Sequence, residues 1–221
     1  MISPELIENN PVISQLKRTP SFTGFESGWK KFSIVSVHLH PGEGSTNEAI
    51  RKEEVRLLME ILAEKLKSSA FEDRNMIILG DTNLYEDDTD IVDLITAKGF
   101  VESNGLIGKV TNTSLNQIYD RIFLNVDRYF EIATDENGTE VGDVFNLFNH
   151  VYINTAPEVA IYHQQMLDHK DDPSTLTDDA KFMSYFNAYW KRNQMSDHLP
   201  VWLEIKTDSS SGFLTSKASQ M

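Results

Sequence analysis

The octapeptide Met76-Ile77-Ile78-Leu79-Gly80-Asp81-Thr82-Asn83 decides how this chain reads. Its first half is a short apolar run, consistent with a strand buried on both faces. Its second half stops the strand, because Gly, Asp and Asn favour turns for backbone reasons. The octapeptide therefore delivers a carboxylate and an amide to the end of a buried strand. Upstream, Lys31 to His38 (KFSIVSVH) is a compact β-branched run and reads as a second strand, stopped by Pro41, Gly42 and Gly44. Between the two, Ile50, Val55, Leu58, Ile61, Leu62 and Leu66 recur at helical spacing. Ser45 and Glu48 have the spacing of a capping box, so a helix is expected from about 46 to 67. Downstream, Thr89 is placed to cap a shorter helix that runs to about Lys98 and closes at Gly99. Strand, helix, strand, helix is the opening of a layered α/β arrangement.

The remainder reads less regularly. Residues 1–30 carry Pro4, Pro11, Pro20, Gly24 and Gly28 and read as loop, with at most a short strand near Phe22–Phe25. Ile118 to Leu124 is a further strand, and Tyr129 to Thr134 opens a hairpin with Asn137-Gly138 as its turn. Between 143 and 195 the pattern changes to two or three helices with an aromatic face: Phe145, Leu147, Phe148 and Tyr152, then Phe182, Tyr185, Phe186, Tyr189 and Trp190. Such a stripe reads first as core. Pro200 to Lys206 is the last strand, and 207–221 read as a disordered tail. The organisation expected is an irregular segment 1–17, one domain 18–206 and that tail.

Composition narrows the functions open to the chain. It has 221 residues, 40% hydrophobic and 24% charged, enough for a core that needs no covalent staples. It has no Cys, which excludes disulfides, thiolate metal sites and cysteine nucleophiles. The net charge of −14 argues against a broad cationic surface for polyanions but leaves room for a local phosphate site. Lys30-Lys31, Arg51-Lys52 and Lys191-Arg192 are small basic spots that read as solvated surface. No apolar stretch is long enough for a membrane span. No secretory signal is visible at the start, so the cytoplasm is the default expectation. Oligomeric state is not readable.

Four polar clusters fall at strand ends: His38 and His40, Asp81 and Asn83, Asp120, and Asp197-His198. Open α/β sheets hold ligands beyond their strand ends, where a carboxylate can bind a cation and an imidazole can move a proton. Each cluster also has an ordinary reading. His38 and His40 can be a plain strand end or a two-His metal pair; GDTN can be a turn; Asp120 can pair with Arg121; Asp197-His198 can be a connector. His150, His163 and His169 receive no role.

Taken in order, FSIVSVHL (32–39), IILGDTN (77–83), YDRIF (119–123) and SDHLPV (196–201) resemble the endonuclease/exonuclease/phosphatase superfamily, the deoxyribonuclease I-like fold. GDTN and SDHLP contribute most. The resemblance implies an α/β, four-layer sandwich with an aromatic-rich helical insertion before the last strand. It implies a hydrolase of phosphate esters dependent on Mg²⁺ or Mn²⁺. By that resemblance His198 moves the proton, Asp120 orients it, Asp81 and Asn83 position nucleophile and phosphate, Asp197 faces the metal, and His38 donates to a phosphate oxygen. Mg²⁺ suits such hard oxygen ligands. DNA, RNA, phosphoinositide and sphingomyelin substrates stay open.

The chain departs from the family at its start. The family opens with two further strands, one bearing an Asn and one a metal-binding Glu, and a single βαβ unit takes about 30 residues or more. Residues 1–30 do not accommodate them, and Glu5, Glu8, Asn9 and Asn10 lie in no strand-like context. The chain thus reads as the C-terminal half to two-thirds of such an enzyme. The alternatives are an inactive fragment or a complementing or binding module and, more distantly, a zinc hydrolase using His38 and His40.

Overall fold

The computed structural model describes residues 16–28, 30–67, 75–127, 129–208 and 210–219. Most of the segment 1–17, with Glu5, Glu8, Asn9 and Asn10, lies outside them. The described chain divides into two compact units.

The first unit is an α/β layer arrangement. Its mixed sheet has the order β1-β2-β3-β5-β4, built from β1 (Ser21–Ser27), β2 (Lys30–His38), β3 (Met76–Asp81), β4 (Val101–Glu102) and β5 (Asp120–Asn125). β1 is an exposed edge strand, longer than the four residues expected, and pairs antiparallel with β2. β2 and β3 run parallel, joined through α1 (Ser45–Lys67). β3 and β5 run antiparallel, with α2 (Thr89–Thr96) and β4 between them in the chain.

Side-chain alternation sorts the sheet into two apolar faces. Val35, Val37, Met76, Ile78 and Phe123 pack in one cluster with Val55, Leu58 and Leu62 of α1 and Ile91 and Ile95 of α2. Ile77, Ile122 and Leu124 face the other way, packing with Leu106 and Phe130. Val201 and Leu203 of β7 (Val201–Leu203) join that second cluster. β7 pairs with β6 (Gly142–Val144) in a small second sheet. Burial on both faces is why β3 is apolar without alternation. The hairpin expected around Asn137-Gly138 is reduced to one bridge, Thr134 with Glu140, around a turn with Gly138 at φ 82°, while Ile132 bridges to Ile205.

Residues 210–218, expected as disordered tail, instead form α7 (Ser210–Ala218). The reason is local: the Asp208 carboxylate accepts from the Ser210 backbone N–H, which opens the helix, and lies below the usual carboxylate range through its bonds to Ser210.

The second unit joins Thr111–Gln117 to Val144–Pro200. The region expected as an insertion within one domain is therefore a compact unit in its own right. It holds α3 (Ala156–Ile161), α4 (His163–His169), α5 (Asp179–Tyr185) and α6 (Lys191–Gln194), with a π-helical segment Phe186–Trp190 joining the last two. The aromatic stripe is core: Phe182, Phe186 and Trp190 are buried with Val159, Met166 and Leu176. In an α-helix, with about 3.6 residues per turn, a step of four overshoots a full turn. In the wider π turn it falls short. The drift from Phe182 to Phe186 is thus reversed from Phe186 to Trp190, and all three face one core.

Gly80 shows how tightly the first unit is built. It has φ 131°, and a Cβ there would meet the Val37 carbonyl oxygen at 2.2 Å. Gly80→Ala is expected to cost about 3 kcal/mol or more of unfolding free energy, combining backbone strain with a backbone clash. A lowered urea midpoint with unchanged slope would show it.

Candidate functional site at the ends of β2, β3 and β5

His38 ends β2, Asp81 ends β3 and Asp120 begins β5. The ladders set them in one row: His38 is the register partner of Asp81, and Asp81 that of Asp120. Register partners share a face of the sheet. By alternation that face is the one of Phe32, Ile77, Leu79 and Ile122, opposite α1 and α2. Three of the clusters read from sequence are thus brought together. His38 Nε2 lies 3.3 Å from Asp81 Oδ2, with the His38 side chain 48% exposed and that of Asp81 18%.

Asn83 is buried in the left-handed region at φ 48°, which Asn tolerates better than most residues. Its backbone N–H donates to Asp81 Oδ1 at 3.1 Å, and its Nδ2 donates to the Leu39 carbonyl at 3.1 Å. GDTN is therefore a turn, as its composition suggests, and that turn holds the Asp81 carboxylate while tying the end of β3 to the residue after β2. Thr82 adds a tie to β5: its N–H and hydroxyl both donate to the Tyr119 carbonyl, at 2.7 and 2.8 Å. Asp120 does not pair with Arg121; the Arg121 guanidinium donates to Glu102 at 3.1 Å. Burial nevertheless holds the Glu102 carboxyl above its usual range.

Sequence reading missed what fixes these loops. Arg51 and Glu54 are each 1% exposed on the inner face of α1. Arg51 donates to Asp88 Oδ2 through Nε and Nη2, at 3.2 and 3.0 Å, and to the Gly42 carbonyl at 2.6 Å, with its guanidinium 4.9 Å from the Tyr85 ring centroid. It thereby clamps the loop after β2 to the loop after β3. Asp88, not Thr89, is the N-cap of α2, and its side chain makes no cap bond because Arg51 and the Tyr85 N–H occupy it. Glu54 accepts from the His40 N–H at 2.7 Å and the Lys17 N–H at 3.1 Å. One signal was available: Arg51 precedes Val55, Leu58 and Leu62 at the same helical spacing, so it stands on the buried stripe.

His40 is turned to a structural task. Its Nε2 meets Asn47 Oδ1 at 2.9 Å. Among the described residues no three His, Asp or Glu side chains gather in a group that could hold a metal ion. The donors described do not fit a Mg²⁺ or Mn²⁺ site, and among the described residues no ligand set forms around Asp197.

The fourth cluster lies in the second unit. Asp197 is exposed and His198 partly buried. The Asp197 carbonyl accepts from the Thr113 N–H at 2.9 Å, His198 bridges Asn112, and the Leu199 N–H donates to Thr111 at 2.7 Å. The His198 N–H donates to Ser196 Oγ at 3.0 Å. The motif is a backbone-anchored connector with two polar side chains.

No family model matches the chain, and no curated protein matches it. A solved endonuclease/exonuclease/phosphatase from Beutenbergia cavernae is similar over 84% of this chain and 38% of its own, at 13% identity and a TM-score of 0.46. A mannosyl-6-phosphatase from Bacteroides thetaiotaomicron is similar over 80% and 51%, at 14% and 0.40. A Staphylococcus aureus beta toxin with bound magnesium ions is similar over 57% and 46%, at 15% and 0.39. The chain is similar to each of these over part of its length. It spans from 38% to 51% of the lengths of these three chains. No helix among the described residues is long and apolar enough to cross a membrane.

Two outcomes follow from the loop geometry. Asp88→Asn leaves Arg51 buried without its counter-charge and is expected to cost about 3–5 kcal/mol, read from urea unfolding; adding Arg51→Met is expected to recover part of that loss. Burial pushes the Tyr119 hydroxyl up to about 12 from 10.0. The folded state holds that proton more tightly than the unfolded one, so stability falls as pH rises from about 10 toward 12. In Tyr119→Phe that part of the fall is absent from alkaline unfolding curves, and the tyrosinate absorbance titration loses a step near 12.

Proposed function

We propose that this chain carries the hydrolytic site of a phosphoesterase, most simply one cleaving phosphodiesters. The observation that carries the reading is the row of His38, Asp81 and Asp120 at adjacent strand ends, in consecutive register. An accidental set of strand-end residues has no reason to align an imidazole and two carboxylates on one face. A phosphate ester needs donors for its oxygens and an acceptor for the proton of attacking water. In this reading His38, half-exposed at the rim, donates to a phosphate oxygen. Asp81, held by the Asn83 N–H, accepts from and orients the nucleophilic water, and Asn83 belongs to the same positioning turn. His198 takes the proton of that water and Asp120 sets the orientation of the imidazole, the roles that the resemblance assigns. The water oxygen forms the new bond to phosphorus, and the ester oxygen leaves with a proton returned to it. The resemblance implies a divalent cation, with Asp197 toward it; since the described donors do not assemble around one, no step is assigned to it.

The test is hydrolysis of bis(p-nitrophenyl) phosphate and of plasmid DNA by the full chain, with MgCl₂ or MnCl₂ and with EDTA. His198→Ala and Asp120→Asn are each expected to lower the rate by about 10²–10⁴-fold, with the double variant no worse than the poorer single one. Activity untouched by His198→Ala removes the assigned roles. Absence of hydrolysis on these and on monoester substrates favours the binding-module alternative.

A further inference from the structure

The second unit contains a cation that no described carboxylate pairs. Lys191 opens α6, immediately after the π-helical turn. Its ammonium lies 4.8 Å from the centroid of the Phe148 ring and 3.1 Å from Asn187 Oδ1. Asn187 is itself placed by its Nδ2, which donates to Asn154 Oδ1 at 2.7 Å. Among the described residues no carboxylate pairs with Lys191, although the chain carries 34 Asp and Glu against 20 Lys and Arg. Burial lowers the Lys191 ammonium from its ordinary value of 10.5. A solvated surface lysine in so acidic a chain would find a carboxylate at little cost. This one is instead partly desolvated on an aromatic face with a neutral amide as partner.

Its place relative to the sequence motif is the second observation. Phe148 belongs to one buried cluster with Leu147 and Leu199. Leu199 directly follows His198, and α6 leads straight into Ser196-Asp197-His198. The ring under the ammonium and the residue after the histidine therefore share one packed core within one unit. The π turn matters here, because it fixes the register at which Lys191 leaves the helix while keeping Trp190 buried.

We infer that Lys191 is an anion-binding residue that receives a phosphate oxygen beside His198, with Asn187 and the Phe148 ring holding its ammonium in place. The inference rests on the phosphoesterase reading for its ligand, a phosphate ester. An ammonium already stripped of part of its water, and held by a neutral partner, gives up little solvation on meeting an anion. It also has no competing carboxylate to release.

The experiment separates the inference from that reading. Lysines of the full chain are reductively ¹³C-methylated, and the dimethyl-lysine resonances are followed by NMR while inorganic phosphate is added. Lys191 is assigned by its absence in Lys191→Arg. The expected result is a saturable shift of the Lys191 resonance, with the resonances of Lys65, Lys67 and Lys217 unmoved. In parallel, Lys191→Met is expected to raise KM for bis(p-nitrophenyl) phosphate at least tenfold, and Lys191→Arg to restore most of the loss. Unchanged near-ultraviolet circular dichroism would show an intact aromatic core. A Lys191 resonance that is indifferent to phosphate, or that moves in step with every other lysine, overturns the inference whatever the enzyme does. Phosphate binding at Lys191 in a chain that hydrolyses nothing would keep the inference as a binding site and remove the phosphoesterase reading.

Discussion

The arrangement depends on β3 being hydrogen-bonded along both edges, parallel to β2 and antiparallel to β5. Register in a sheet has a period of two, so a slip by one residue would carry Asp81 and Ile77 together to the face of α1 and α2 and Ile78 away from it. Two apolar faces hold the register against that slip, and the close approach at Gly80 leaves no space for a side chain against Val37. The same pairing that satisfies the β3 backbone therefore decides which polar groups stand together. His38, Asp81 and Asp120 need no long-range choreography; they are neighbours because three strands end at one level.

Loops at such ends are mobile unless tied, and here they are tied by charges rather than by apolar packing. Arg51 reaches Gly42 on one side and Asp88 on the other, and Glu54 receives the His40 N–H. Both side chains come from α1, the helix that connects β2 to β3, so the element that makes the parallel crossover also fastens its two ends. A buried pair of this kind gives little net stability over an apolar replacement, but it defines one geometry for polar backbone groups that apolar side chains cannot satisfy. That is the property required of a scaffold that positions a turn such as GDTN to within a fraction of an ångström.

Much of this was legible in the residues. The strands at 31–38, 76–81 and 118–124 and the helices at 46–67 and 89–98 were readable because apolar periodicity and Gly, Pro and Asp punctuation agreed there. The strand-end polar clusters were readable for the same reason, since a polar residue after an apolar run marks its end. Arg51 was not readable as buried, because its residue type says surface, and only its place on the stripe of Val55, Leu58 and Leu62 says otherwise. Lys191, read as solvated surface, is partly buried beside the Phe148 ring. The π turn and the Asp208 cap that starts α7 are local hydrogen-bond choices with no periodic signature. β4, with two residues, is too short to have one.

The unresolved physical demand is for positive charge. In the proposed function the row contributes two carboxylates and one imidazole, and a phosphate ester adds at least one negative charge more. In a chain of net charge −14 the background field opposes substrate approach as well as the transition state. Basic residues that are already paired, such as Arg51 with Asp88 or Arg121 with Glu102, cannot answer that demand without breaking a buried or partly buried ion pair. A partly desolvated cation that no described carboxylate pairs keeps its attraction for an oxyanion unspent. Lys191 meets that description, and it stands in the unit that carries His198. On the proposed reading, a chain of this composition suits a small anionic group bound locally better than a polyanion whose recognition relies on a broad basic surface.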